Sequence, residues 1–158
     1  IDQMVCEGAT AVFLSLPPGV HQIGSSTIEV RRAGMGARHF VSRDSGHAMV
    51  ADFRPEDFKF WHDEDLGHPS PILHSVIEPG DWTPILMTGD GGWNRPWGPV
   101  FAAAERSEGR GCWRVCQIDI LNRIRTNPAA HLFASRLLSP ASLQQADVNR
   151  LDTDKAQY

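Results

Sequence analysis

Apolar residues along this chain fall in short runs, most of them closed by turn-forming residues. Residues 9 to 16, ATAVFLSL, are nearly continuous in apolar character and stop at Pro17, Pro18 and Gly19, the pattern of a strand covered on both faces. In STIEVRRA, 26 to 33, Ile28 and Val30 alternate with polar neighbours, which predicts a half-buried strand ended by the Gly-Met-Gly at 34 to 36. Residues 38 to 53 mix brief apolar stretches around a Ser-Arg-Asp-Ser-Gly turn and read as loop with one short helix or strand. Two extended pieces are predicted at 72 to 77 and 83 to 88, joined by Pro79, Gly80 and Asp81.

Beyond them, GPVFAAAERSEG predicts a short Ala-rich helix from about Pro99 to Glu108, with Gly109 just past its end. Residues 112 to 120 are apolar on both faces and predict an inner strand. A helix over 128 to 138 follows, with Asn127 at the cap position, Pro128 in the first turn and a stripe of Ala129, Leu132, Phe133, Ala134 and Leu137. Strands at 9 to 16, 26 to 32, 72 to 77, 83 to 88 and 112 to 120, with helices between and after them, predict an α/β sheet with flanking helices. A single domain spans 1 to 140, and 141 to 158 is a polar tail, a frayed extension or an added helix.

Composition narrows the picture. The chain has 158 residues, 41% of them hydrophobic, with five Trp and seven Phe. That is enough apolar surface for one packed core. A formal net charge of −4 offers no general attraction to phosphate, which argues against nucleic acid as a partner. No apolar run approaches the roughly 20 residues that span a bilayer, so no membrane partner is expected. The opening residues lack a basic leader followed by a cleavage site, so no signal peptide is read there, and the start is compatible with a cut inside a longer polypeptide. Cys6, Cys112 and Cys116 are odd in number. Cys112 and Cys116 on one extended strand would lie about 13 Å apart, beyond the roughly 7 Å reach of a disulfide. Free thiols are expected, which favours a reducing compartment without fixing the localisation.

Candidate chemistry is sparse. GMGARH begins like a dinucleotide-binding loop but has His39 where the third glycine belongs. HDEDLGH brings together His62, Asp63, Glu64, Asp65 and His68, all metal-ligand types. Its His-x5-His spacing does not align both rings on one helical face, and Gly67 and Pro69 indicate a loop. His39 and His47 could join it only from a distance. Cys6 and Cys112 lack small residues on both flanks, as a nucleophile elbow requires. Ser45, Asp44 and His47 are adjacent in sequence, which is no evidence of a triad. No catalytic residue, metal ligand set or cofactor is therefore predicted. The richest stretch is DWTPILMTGDGGWNRPW, where Trp82, Asp90, Trp93, Asn94 and Trp97 combine flat apolar faces with polar groups, as a sugar site would.

Three ordered segments, EGATAVFLSLPPG, HFVSRDSGHAMVADFRPEDFKFWHDE and GRGCWRVCQIDILNRIRTNPAAHLFASRLL, with WTPILMTGDGGW between them, cover roughly residues 5 to 139. They resemble the C-terminal region appended to some family 2 glycoside hydrolases of the β-galactosidase and β-mannosidase type. The resemblance implies a flavodoxin-like, class I glutamine amidotransferase-like α/β domain, and because further β-α units normally precede a strand like 9 to 16, either a fragment truncated from a larger chain or a reduced version that stands alone. It also implies a non-catalytic accessory or interaction domain, since the glycosidase carboxylates would lie on a separate barrel and the amidotransferase cysteine is absent. A carbohydrate-binding module using the tryptophans is the main alternative, and a small metal-dependent hydrolase around His62, Asp63 and His68 a third. Implied partners are carbohydrate, a neighbouring glycosidase domain, or a second copy in a homodimer formed where truncation leaves an unpaired sheet edge.

Overall fold

The computed structural model describes residues 1–36 and 38–140, so the 141 to 158 tail lies outside the described residues. The chain runs α1 (Asp2–Cys6), β1 (Thr10–Leu14), β2 (Gly19–Ile23), β3 (Ser26–Arg32), β4 (His62–Asp63), β5 (His68–Pro69), β6 (Ser75–Ile77), β7 (Thr83–Gly92), β8 (Arg95–Glu108), β9 (Gly111–Cys116) and α2 (Pro128–Leu138). Single 3-10 turns lie at Ala48–Val50, Pro55–Phe58 and Leu121–Arg123. Seven strands form one sheet in the order β1-β9-β8-β6-β3-β2, with β7 on the other edge of β8. Within this sheet β1 and β9 pair in parallel, and β2/β3, β3/β6, β6/β8, β7/β8 and β8/β9 are antiparallel.

This architecture corrects the α/β expectation. Among the described residues the protein is mostly β, a curled mixed sheet in the form of a half-barrel with a single helix longer than two turns. It is neither flavodoxin-like nor class I glutamine amidotransferase-like. Parallel strands need crossover helices, and the segment expected to supply one, Pro99 to Glu108, is instead the greater part of the longest strand, β8. Ala102, Ala103 and Ala104 are all fully buried. Alanine favours helix in isolation, but a helix at this position would need a solvated face. Here both sides of the segment are covered, and small side chains let the layers approach it closely.

Those layers are two apolar clusters on opposite faces of the sheet. One gathers Val41, Met49, Phe53, Phe58, Trp61, Ile72, Leu86, Val100 and Ile118 with the buried side of α2. The other holds Val5 of α1, Ile28 and Val30 of the β2/β3 hairpin, Trp82, Phe101, Trp113 and Val115. β3 keeps its expected alternation, with Ser26, Ile28 and Val30 buried and Thr27 and Glu29 exposed. The helix forms over the expected residues, but the face it buries is Ala130, Phe133, Ala134 and Leu137; Leu132 points outward at 44% exposure. Phe133 meets Phe58 edge to face at 5.5 Å.

Asn127 occupies the cap position without capping the helix through its side chain. Its amide instead bridges to the backbone of His62, accepting from N at 2.9 Å and donating to O at 2.8 Å. The helix C-terminus is held by Arg114, whose Nη1 donates to the carbonyls of Arg136, Leu137 and Ser139 at 3.2, 2.7 and 2.6 Å. Among the described residues no helix is long and apolar enough to cross a membrane. All three cysteines are free thiols, Cys6 exposed and the other two buried.

Candidate ligand groove at the β7–β8 hairpin

The five residues selected in the Trp-rich stretch divide between interior and surface. Trp82 is a core residue, 4% exposed, its indole N–H donating to the Thr27 carbonyl at 3.0 Å. Asp90 is fully buried and ion-paired to Arg31, and it accepts from the Gly34 N–H at 3.1 Å. Burial alone would raise the Asp90 pKa, but the Arg31 guanidinium and the Gly34 and Gly91 N–H groups outweigh it and hold the carboxyl below its ordinary value. Arg31 also reaches Glu78, which Arg95 shares. This ionic knot ties β3, the end of β6 and both strands of the hairpin together. Neither Trp82 nor Asp90 is available to a ligand. Trp93 and Asn94 stand at the exposed hairpin tip, Trp93 at 95% exposure, and Trp97 follows at 62%.

Trp97 is positioned by the strand it crosses. A Cβ on Gly91 would lie 3.0 Å from its Cγ, and one on Gly89 3.9 Å from its Cε3. One side of the indole therefore rests on bare β7 backbone while the rest of the ring faces outward. Beside it runs a groove of about 650 Å³ lined by Met35, Phe40, Arg43, Asp44, Lys59 and Trp97, among others. That volume lies inside the roughly 300–1,000 Å³ range of ligand clefts.

The groove extends across added strips of backbone. Ser42 exchanges two hydrogen bonds with Met87 of β7, at 2.7 and 2.9 Å, and residues 39 to 41 bond onward to Phe58 and Phe60 at 3.2 and 2.8 Å. Phe40 and Lys59 pair antiparallel, as do Ser42 and Met87. Cross-strand partners share a face, so Phe40, Ser42, Lys59 and Met87 project to one side. Trp97 belongs to the same side through the Met87/Phe101 pairing. Met35, Phe40, Arg43 and Lys59 were not distinguishable from ordinary loop residues in the sequence, because nothing local predicts that 39 to 43 and 58 to 60 extend a sheet formed elsewhere.

The remaining candidates have other employment. The Gly-Met-Gly stretch lies against β7, where a Cβ on Gly36 would come within 2.5 Å of the Asp90 Oδ1, so the glycines serve close backbone approach. In β4–β5 and its turn, Asp63 accepts from Ser70 at 2.8 Å and pairs with Arg123 at 3.2 Å; Glu64 pairs with Arg125 at 2.6 Å; Asp65 accepts from Asn122 at 2.7 Å. The Ser70 hydroxyl foremost, then the Leu66 and Asp65 N–H groups and Arg123, hold Asp63 below its ordinary pKa against the effect of burial. Among the described residues no group of three or more His, Cys, Asp or Glu could hold a metal ion.

Ser45, Asp44 and His47 form a turn rather than a relay. The Ser45 hydroxyl donates to the Ile85 carbonyl at 2.7 Å and accepts from the His47 N–H, while His47 Nδ1 accepts from the Met49 N–H at 3.2 Å. His47 Nε2 lies 3.5 Å from Glu105, which also pairs with the fully buried Arg114 at 2.5 Å. Burial opposes ionisation of Glu105, yet His47 and Arg114 bring its pKa down to about 2. Burial raises the Cys112 thiol, and it pushes Cys116 up to about 12, so neither is an activated nucleophile.

No family model matches the chain, and no curated protein matches it.

Proposed function

We propose that this is a non-catalytic accessory domain of the kind appended to family 2 glycoside hydrolases, and that it meets carbohydrate in the groove beside Trp97. The carrying observation is the contrast in availability: an indole seated on glycine backbone presents an open face beside a groove of ligand size, while Asp63, Glu64 and Asp65, the acids of the His- and Asp-rich stretch, are bonded to Ser70, Arg125 and Asn122. Sugars stack their C–H faces on such rings and direct hydroxyls to flanking polar groups. The accessory-domain part of the reading rests on the ordered-segment resemblance to glycosidase C-terminal regions, and the ligand part rests on the groove and Trp97.

Titration with a panel of neutral and acidic oligosaccharides, followed by tryptophan fluorescence, tests this reading. A saturable change that Trp97→Ala abolishes while leaving the thermal transition in place is the expected result. Absence of a response to every sugar, with calorimetry also silent, would overturn it.

A further inference from the structure

We propose that the groove selects a carboxylate-bearing saccharide, a uronate, with the ring on Trp97 and the carboxylate on Lys59 and Arg43; this inference rests on the carbohydrate reading above. The argument begins with charge. The chain as a whole is acidic, −4, and most of its described cations are occupied: Arg31, Arg95, Arg106, Arg114, Arg123 and Arg136 all rest on carboxylates. Arg43 and Lys59 have no ion-pair partner among the described residues, and both line the groove. Arg43 spends one Nη1 bond on the Ala51 carbonyl at 3.3 Å, and its Nε is buried without a partner.

Geometry makes the two halves of the site commensurate. The Trp97 indole lies over β7, and Lys59 stands on the 58 to 60 strip, with residues 39 to 43 between. Two strand spacings separate those lines, about 10 Å. A pyranose stacked on the indole, with its ring carboxylate directed across the Phe40–Ser42 strip, brings that group within reach of the flexible Lys59 side chain. Asp44, on the same groove, supplies an acceptor for sugar hydroxyls and makes the site less receptive to a multiply charged anion. One carboxylate and two cations beside an apolar floor match a ring that carries one negative charge among neutral hydroxyls.

The test uses the full chain and trimers of galacturonate, glucuronate, mannuronate and guluronate, each beside its methyl ester, with a sulfated neutral trisaccharide as a third probe. At least one free acid should bind about tenfold tighter than its own ester, the gain expected of a charge-assisted hydrogen bond. Lys59→Gln should erase that difference while ester binding persists, and Trp97→Ala should remove both. Equal affinity for acid and ester, with sugar binding retained, would overturn the uronate assignment and leave the carbohydrate reading standing. Silence toward every probe would overturn both. A sulfated trisaccharide binding as tightly as the uronate would show that the cations read charge alone, which also defeats the proposal. An unchanged acid-to-ester ratio in Lys59→Gln would defeat the placement of the carboxylate.

Discussion

The β4–β5 hairpin and the tip of the β7–β8 hairpin are both crowded with polar and aromatic residues, yet they differ in what those residues have left to offer. In the first, Asp63, Glu64 and Asp65 each bond to the segment between β9 and α2, through Arg123, Arg125 and Asn122. The hairpin is a clasp, and its charges hold the connection to the helix. In the second, the buried acid Asp90 is equally committed, but Trp93 and Trp97 are exposed, and Arg43 and Lys59, which share the groove with Trp97, lack carboxylates among the described residues. Residue types alone offer metal-ligand chemistry in the first region and a sugar-like combination in the second. Remaining bonding capacity and open ring surface favour the second.

If that contrast is sound, substitutions at committed charges should cost stability and those at the groove should not. The largest effect is expected at Arg114→Met, which strips Glu105 of its cation and releases the carbonyls at the end of α2, and at Arg123→Met, which frees Asp63 and Asp119. Breaking a buried ionic group one-sidedly costs about 3–5 kcal/mol, readable as a lower denaturant midpoint. A loss under about 1 kcal/mol in either variant would break the comparison.

Acid titration gives the next effect. Because the Glu105 pKa is depressed to about 2, the unfolded chain binds the extra proton between the ordinary glutamate value and about pH 2. The contribution is therefore complete above the unfolded pKa and is lost as pH falls through that window. At 17% side-chain exposure it amounts to about 2–3 kcal/mol. Denaturant midpoints measured from pH 6 to pH 2 should fall accordingly, and Glu105→Gln, less stable at neutral pH, should show a flatter decline. Lys59→Gln should reproduce the wild-type pH profile.

Gly91→Ala sharpens the groove side. The new methyl meets the Trp97 ring and backbone at 3.0 to 3.1 Å, so the indole must shift by a few tenths of an ångström. The expected stability loss is about 1 kcal/mol, accompanied by a changed tryptophan emission and weaker sugar binding. The smallest effect is reserved for Trp93→Ala. At 95% exposure the side chain contributes almost nothing to the core, and the unfolding midpoint should stay within about 0.5 kcal/mol of the parent. A larger loss would mean that the tip is structural.

Much of the chain's local structure is legible from its residues. Strands β3 and β7 and the helix after Asn127 lie where the patterns predict them, because period-2 alternation and the Asn-Pro start are local consequences of what each segment must bury; β9 forms but ends at Cys116 instead of 120, and β1 forms at the sheet edge, partly exposed instead of covered on both faces. The extended piece predicted at 72 to 77 is regular strand only in its last three residues, and β2 and α1 escaped notice, being too short and polar to carry a periodic signal. Of the groove, the sequence pointed to Trp93, Asn94 and Trp97, but it placed Trp82 and Asp90 with them because exposure is not written in residue identity.

What the sequence by itself determined is the extension of β3, β7 and most of β9, the helix after Asn127, and that the cysteines at 112 and 116 cannot bridge. Tertiary structure decided the rest through one segment. Residues 99 to 108 have helical propensity worth only a few tenths of a kcal/mol per residue, whereas pairing with β7 on one edge and with β6 and β9 on the other satisfies their backbone groups and buries three alanines between two apolar layers. Long-range pairing outweighs propensity there. That outcome turned an expected α/β sheet into a curled β-sheet and lengthened the hairpin that carries Trp97 to the groove.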